Sequence, residues 1–216
     1  MNQAFRIWDL PTRIFHWGLA LTVTGLIVTG WLGQLQWHFR LGYVLLTLML
    51  FRLFWGFLGG HWSRFATFWP SPSRLSAYLR GQKKFIGHNP MGALSILTML
   101  LFLFAQVGTG LISDDEIATS GPLSRFVSSS WVSLATWYHK NIGKFVLIAL
   151  VALHLGAVFF YLWRLNDNLI RPMWNGNKMF TYEIEAARDD WRSRALALLL
   201  LILCALAVAL LLKLTA

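Results

Sequence analysis

The sequence predicts an all-α integral membrane protein, with a four-helix transmembrane bundle followed by a fifth, C-terminal transmembrane helix. Three observations carry this reading. Of 216 residues, 56% are hydrophobic and 13% charged, about half the charged fraction of an ordinary soluble domain. Five apolar stretches approach the roughly 20 residues that cross about 30 Å of hydrocarbon. Histidines recur within or at the edges of these stretches, and ionisable groups inside a bilayer mark function.

Taken in order, the expected spans run from Ile14 to Leu32, Phe39 to Leu58, Pro90 to Ile112, Trp137 to Trp163 and Ala195 to Leu212. The first carries His16 and Trp17 and lacks a small-residue cleavage site, so it reads as a retained span rather than a signal peptide. Trp69-Pro70-Ser71-Pro72-Ser73 breaks the chain after the second span, and Ser73 to Arg80 reads as a short amphipathic stretch at the membrane surface. Asn89-Pro90 starts the third span, with Asn as N-cap and Pro where its missing N–H costs nothing. The polar run Arg164 to Asn168 ends the fourth. Residues 178–194 mix both charge signs and read as a solvated helix leading into the last span. The domain organisation expected is therefore a core over 1–176, a cytoplasmic connecting segment over 177–194 and an added helix over 195–216. Cys204 is the single cysteine, which excludes an intramolecular disulfide scaffold, and the absence of Cys-x-x-Cys-His excludes covalent c-type haem attachment.

The formal charge of +10 reads as topology rather than affinity for nucleic acid, because short cytoplasmic loops collect Lys and Arg. Arg64, Arg74, Arg80, Lys83 and Lys84 follow the second span. Arg6 and Arg13 precede the first. Arg164, Arg171, Lys178, Arg188, Arg192 and Arg194 lie between the fourth and fifth. The stretch from Ser113 to Thr136 instead holds Asp114, Asp115 and Glu116 against Arg125. The N-terminus is thus expected in the cytoplasm and the tail at Lys213 outside, with the spans in contact with membrane lipid.

Depth sorts the histidines. His16 lies one turn into the first span from the cytoplasmic side and His38 opens the second on the periplasmic side. His139 and His154 sit near opposite ends of the fourth, about 22 Å apart in rise and about 60° apart around the axis. His16 can meet His154 and His38 can meet His139, giving two bis-histidine sites stacked across the membrane. Such pairs suit a flat six-coordinate cofactor, and two non-covalent haems b are expected. Zinc is the competitor, but a structural zinc wants four ligands. Gly42 and Gly143 each follow a histidine by four positions and are expected to leave room for a ring edge, with Gly25 and Gly30 able to do the same; ordinary close helix packing is the alternative. Arg40 is placed to pair with propionates of the periplasmic haem, and Arg13 or Arg52 with those of the cytoplasmic one, although Arg52 could instead snorkel. His61 reads as a loop histidine. His88 could cap a propionate or touch a quinone head group. Trp17, Trp31, Trp37, Trp55, Trp62, Trp69, Trp131, Trp137 and Trp163 read as an aromatic belt, and Cys204 as a small apolar residue, buried or lipid-facing.

The run Arg6-Ile7-Trp8-Asp9-Leu10-Pro11-Thr12-Arg13-Ile14-Phe15-His16-Trp17 resembles the opening of the bacterial cytochrome b561 family, related to the b-type cytochrome subunit of nickel-iron hydrogenases. Further matches are His38-Phe39-Arg40-Leu41-Gly42-Tyr43, Arg52-Leu53-Phe54-Trp55-Gly56, Gly87-His88-Asn89-Pro90-Met91-Gly92-Ala93-Leu94, the two histidines of the fourth span, and Leu169-Ile170-Arg171-Pro172-Met173. The resemblance covers about residues 6–176. It implies a four-helix core with two haems b, ligated by His16, His38, His139 and His154, that passes electrons between a quinone and a partner protein or small oxidant. The fifth span departs from the shortest members and reads as a lipid-facing or partner-binding addition.

The function this favours is transmembrane electron transfer between the quinone pool, ubiquinone or menaquinone, and a periplasmic redox protein such as a c-type cytochrome. Bis-histidine ligation leaves no open iron position, so outer-sphere transfer is what remains. The quinone site is expected on the cytoplasmic face near His16, His88 and Arg171. Asp114, Asp115 and Glu116 could steer a basic partner, with an ordinary solvated loop as the alternative. Two further readings stand beside it. One, which the resemblance to the short cytochrome b561 branch implies, is a superoxide:quinone oxidoreductase; Arg40, Arg125, Lys140 and Lys144 could supply the positive periplasmic funnel it wants, against the neighbouring acids. The other is a haem-bearing anchor for an oxidoreductase complex, docked through the fifth span and residues 178–194. A histidine-lined metal transporter fits less well.

Overall fold

The computed structural model describes residues 3–81, 87–115 and 119–215. Lys83, Lys84 and Glu116, used above for orientation and steering, lie outside the described residues. Among the described residues, five helices are long and apolar enough to cross a membrane. The elements in chain order are β1 (Gln3–Arg6), α1 (Leu10–Trp31), α2 (Leu35–Leu58), α3 (Phe65–Phe68), α4 (Pro72–Leu79), α5 (Pro90–Ile112), α6 (Ser129–Tyr138), α7 (Lys144–Arg164), α8 (Ile170–Asn175), β2 (Asn177–Phe180) and α9 (Trp191–Thr215). A π-turn, His139–Gly143, joins α6 to α7, so the fourth long helix runs from Ser129 to Arg164. It starts eight residues earlier than expected, since Ser128 takes extended backbone and its carbonyl accepts from Trp131 and Val132.

The chain forms two compact units that share out the long helices, one of Met1–His16, Arg52–Thr98 and Leu153–Leu200, the other of Trp17–Phe51, Met99–Ala152 and Leu201–Ala216. In the first, β1 pairs antiparallel with β2, Gln3 opposite Phe180 and Arg6 opposite Asn177. Gly176 ends α8 at φ +88°, and its carbonyl accepts from Ile7 N (2.8 Å) and Trp8 N (3.1 Å). A Cβ there would strike the Trp8 carbonyl, so both the left-handed backbone and the close approach call for glycine.

The start of α1 is held by two carboxylates. Asp9, fully buried, accepts from Thr12 N at 2.7 Å as an N-cap, and Asp189 accepts from Leu10 N at 3.2 Å. These caps, with Pro11 in the first turn, explain why α1 begins at Leu10 rather than Ile14. They also correct the reading of residues 178–194. That segment is not a solvated helix: it opens with β2, Ala187 N donates to the Arg6 carbonyl at 2.6 Å, and the Asp189 side chain is only 3% exposed between Arg6 and Arg194. Mixed charge looked like a solvated face, but these charges satisfy donors at the ends of β1 and α1. Burial opposes ionising Asp189; Arg194, the Leu10 N–H and Arg6 outweigh it and hold its carboxyl below the usual range. Asp190 then caps α9 through Ser193 N at 2.7 Å, moving its start to Trp191.

Other caps follow the sequence. Ser71 accepts from Arg74 N at the start of the amphipathic α4, and Asn89 accepts from Gly92 N at 2.7 Å at the start of α5. Asn89 Nδ2 also donates to the Tyr161 hydroxyl, which bonds that of Tyr78 at 2.6 Å, so three elements of the unit are clasped together. Trp55 departs from the belt: it is 1% exposed and packs beneath Gly59. Trp31, Trp37, Trp69, Trp131, Trp137 and Trp163 are exposed as a belt requires.

In the second unit a three-residue turn with Gly33 at φ +66° joins α1 to α2, a length that sets the two ends side by side and antiparallel. Leu45, Met49, Leu103, Val107, Leu147, Cys204 and Val208 are buried. Along α9 the buried positions Ser193, Ala197, Cys204 and Val208 form one stripe of small residues, and leucines cover the remaining faces. Cys204 is thus the buried apolar residue of the two alternatives.

Candidate functional site

Each unit brings together one of the expected histidine pairs. In the first, His16 of α1 and His154 of α7 place their ring centres 6.3 Å apart, inclined at 53°. In the second, His38 of α2 and His139 of the π-turn stand 6.1 Å apart at 88°. An imidazole–metal–imidazole unit, with metal–nitrogen bonds of about 2.0 Å and about 1.1–1.2 Å from each nitrogen to its ring centre, sets the centres about 6.2–6.4 Å apart. Both pairs have the spacing that one bridging iron needs. Among the described residues no three His, Cys, Asp or Glu side chains converge, so each pair is a two-donor set. That number matches the axial positions of a haem and falls short of a structural zinc.

The second pair is oriented by matching devices. His38 Nδ1 lies 3.1 Å from the Leu26 carbonyl and 3.4 Å from Thr29 Oγ1. His139 Nδ1 lies 2.9 Å from the Gln106 carbonyl and 3.4 Å from Thr109 Oγ1. A carbonyl only accepts, so the proton belongs on Nδ1 of each ring and the lone pair on Nε2 is left for a metal. Beneath the rings lie Gly30, whose Cβ would stand 3.3 Å from His38, and Gly110, whose Cβ would stand 3.0 Å from His139. Gly30 therefore makes room for the His38 imidazole. Thr29, Thr109, Gly110 and the two carbonyls were not reached by sequence reasoning. The signal was the dipeptide Thr-Gly at 29–30 and again at 109–110, weakened by a third copy at 24–25.

The two glycines expected to frame a ring edge differ. A Cβ at Gly42 would meet nothing within 4 Å among the described residues, whereas the space beside Gly143 is taken by the Gln106 amide and Tyr138. Gly143 thereby accommodates a side chain from α5.

The cationic candidates also divide. Arg40 is exposed, two residues from His38, with its guanidinium 5.0 Å over the Trp37 ring. Arg13 donates to the Trp174 carbonyl at 2.6 Å. Arg52 does not snorkel. It is 5% exposed, donates to the Ser63 carbonyl at 3.2 Å and stacks 4.6 Å over Phe65. Ser63 in turn donates to Asp9 at 2.6 Å and bonds the Thr12 hydroxyl. A buried guanidinium held this way is part of the packing at the base of α1. His88 sits between Trp8 (4.5 Å) and Phe68 (4.7 Å). Burial, then the Arg52 charge, push its pKa down to about 3, so at neutral pH it is an uncharged donor and acceptor. His61 is a surface histidine 3.3 Å from Glu185. Arg171 is exposed. Asp114 and Asp115 are half-buried, and the Asp115 carboxylate accepts from Thr119 N and Oγ1 at 2.8 and 2.6 Å. Arg125 is bound to the Leu214 carbonyl.

The chain is similar to proteins named "Probable Ni/Fe-hydrogenase B-type cytochrome subunit". The one from Bradyrhizobium diazoefficiens is 28% identical, with 81% of this chain and 85% of that protein covered. Those from Azotobacter chroococcum and Rhizobium leguminosarum bv. viciae are 27% and 25% identical, each covering 83% of this chain and 90% of the relative. No solved structure matches the chain. The family model for prokaryotic cytochrome b561 matches residues 7–176. With five long apolar helices and that match over most of its length, the chain belongs to the prokaryotic cytochrome b561 family and is a multi-pass membrane cytochrome of the b type, a haem b protein.

Proposed function

We propose that this chain is a dihaem cytochrome that carries electrons across the bacterial inner membrane, between a quinone on the cytoplasmic side and a redox protein in the periplasm. His16 and His154 would hold one haem, His38 and His139 the other. The observation that carries this is the pair of imidazole separations, 6.3 and 6.1 Å, each the span of two axial bonds to one iron. Haem b held by these histidines would supply one-electron exchange. The chain supplies the rest. The Leu26 and Gln106 carbonyls orient the outer rings, Arg40 and Arg13 are placed to meet propionates, and the apolar spans exclude water. His88, neutral and wedged between Trp8 and Phe68, is placed to hydrogen-bond a quinone oxygen or a propionate.

The names of the relatives favour one form of partner. The similar proteins are named as cytochrome subunits of Ni/Fe hydrogenases, so a membrane-attached oxidoreductase is the second reading for the periplasmic redox protein, beside a c-type cytochrome. Exposed leucines on α9 give such a complex a surface within the bilayer.

Purified protein should carry two haems b per chain, and reduced-minus-oxidised spectra should show both. His154→Ala and His139→Ala should each remove one haem and keep the other. A protein that retains both haems in either variant would refute the ligand assignment. Reoxidation of the quinol-reduced protein by a c-type cytochrome or by the partner oxidoreductase distinguishes the two partner readings. Failure with both, together with rapid reduction of the oxidised protein by superoxide, would overturn the electron route proposed.

A further inference from the structure

Gln106 touches both ends of His139. Its main-chain carbonyl accepts from the ring Nδ1 at 2.9 Å, and its side-chain Nε2 donates to the main-chain carbonyl of His139 at 3.0 Å. That carbonyl opens the π-turn His139–Gly143, a departure from the α-helical ladder that is enriched at functional sites. Gly143 makes the contact possible, because any Cβ there would overlap Gln106 Oε1.

The other outer ligand shows what the amide adds. His38 lies in unbroken α2 and donates to the Leu26 carbonyl. Leu26 precedes Thr29-Gly30 as Gln106 precedes Thr109-Gly110, so the two clamps are alike except that one holds an amide where the other holds an apolar chain. The amide comes at a cost, since Gln106 Oε1 is buried with no hydrogen-bond partner among the described residues, and packing alone would favour leucine inside an apolar helix.

We propose that Gln106 is a positioning residue for His139, fixing the rotation of the imidazole and the strength of its Nδ1 hydrogen bond, and so making the two outer ligands electronically unequal. This rests on the reading of His139 as a haem ligand. The hydrogen bond on the far nitrogen tunes ligand basicity, and a fixed ring angle tunes the low-spin iron.

The test uses the intact holoprotein. Gln106→Leu, which copies the Leu26 clamp, should keep two haems but shift the low-spin electron paramagnetic resonance signal and midpoint potential of one haem, the one that His139→Ala removes. The second haem should be unchanged. Gly143→Ala, which keeps the amide and displaces it, should shift the same haem and carries the test if Gln106→Leu does not accumulate. Wild-type signals and potentials in whichever of these variants accumulates, or a shift of the haem that survives His139→Ala, would overturn the role. Retention of both haems in His139→Ala would overturn the ligand reading itself, and this role with it.

Discussion

At the scale of single residues, His88 is the titratable group whose surroundings change it most plainly outside the spans, packed as it is against the rings of Trp8 and Phe68. Enclosed by Trp8 and Phe68 and near Arg52, it binds a proton at about pH 3 rather than at its usual 6.5. The unfolded chain therefore takes up that proton first as the medium is acidified. Between pH 6.5 and 3 folding excludes a proton, so stability is full above pH 6.5 and falls below it, by at most about 1.4 kcal/mol per pH unit. His88→Gln cannot titrate. The prediction is that the melting temperature of the wild type in detergent declines more steeply between pH 6.5 and 4.5 than that of His88→Gln. Parallel curves would show that His88 is protonated in the fold or that the native state relaxes around it.

At the scale of elements, what could be read from the sequence depended on whether the cause was local. Asn89-Pro90 placed the start of α5 to the residue, because cap and proline are adjacent. Four imidazoles could be paired by depth because helical rise is regular, and the pairs are found. The starts of α1 and α9 lie four residues before the apolar spans, since polar first turns such as Leu10–Arg13 continue a helix once Asp9, Asp189 and Asp190 satisfy their free N–H groups. The 178–194 segment differs for a related reason: charge content reports solvent exposure on average, and Asp189 accepts from Leu10 N and Arg6, 179 and 183 residues away in the chain. The long-range cap has a measurable weight. Asp189→Ala removes an acceptor from Leu10 N and the shared partner of Arg6 and Arg194, and should cost about 1–3 kcal/mol. Thermal denaturation should show a fall of several degrees, with Asp189→Asn between the two. An unchanged melting temperature in Asp189→Ala would mean that water replaces the carboxylate at no cost.

At the scale of the whole molecule, the proposed orientation follows from where 19 Lys and Arg and nine acids fall along the chain. Lys and Arg recur at the start of α1 (Arg6, Arg13), between α2 and α5 (Arg64, Arg74, Arg80, Lys83, Lys84) and from the end of α7 to the start of α9 (Arg164, Arg171, Lys178, Arg188, Arg192, Arg194), whereas the segment between α5 and α6 sets Arg125 against Asp114, Asp115 and Glu116. Positive charge is retained on the cytoplasmic side because its transfer across the energised membrane is opposed, so the first three segments should stay inside and the acidic one should cross. With five spans the C-terminal residue should then lie outside. Alkaline phosphatase, active after export, should be active when joined after Gly121 or after Ala216 and inactive when joined after Gly81. A fluorescent protein that matures in the cytoplasm should show the opposite pattern. The same result would fix which histidine pair lies toward which side, since the His38–His139 pair lies in the unit that contains the acidic segment and the C-terminal half of α9. Phosphatase activity after Gly81, with none after Gly121, would reverse the orientation and put the Gln106 clamp on the quinone side.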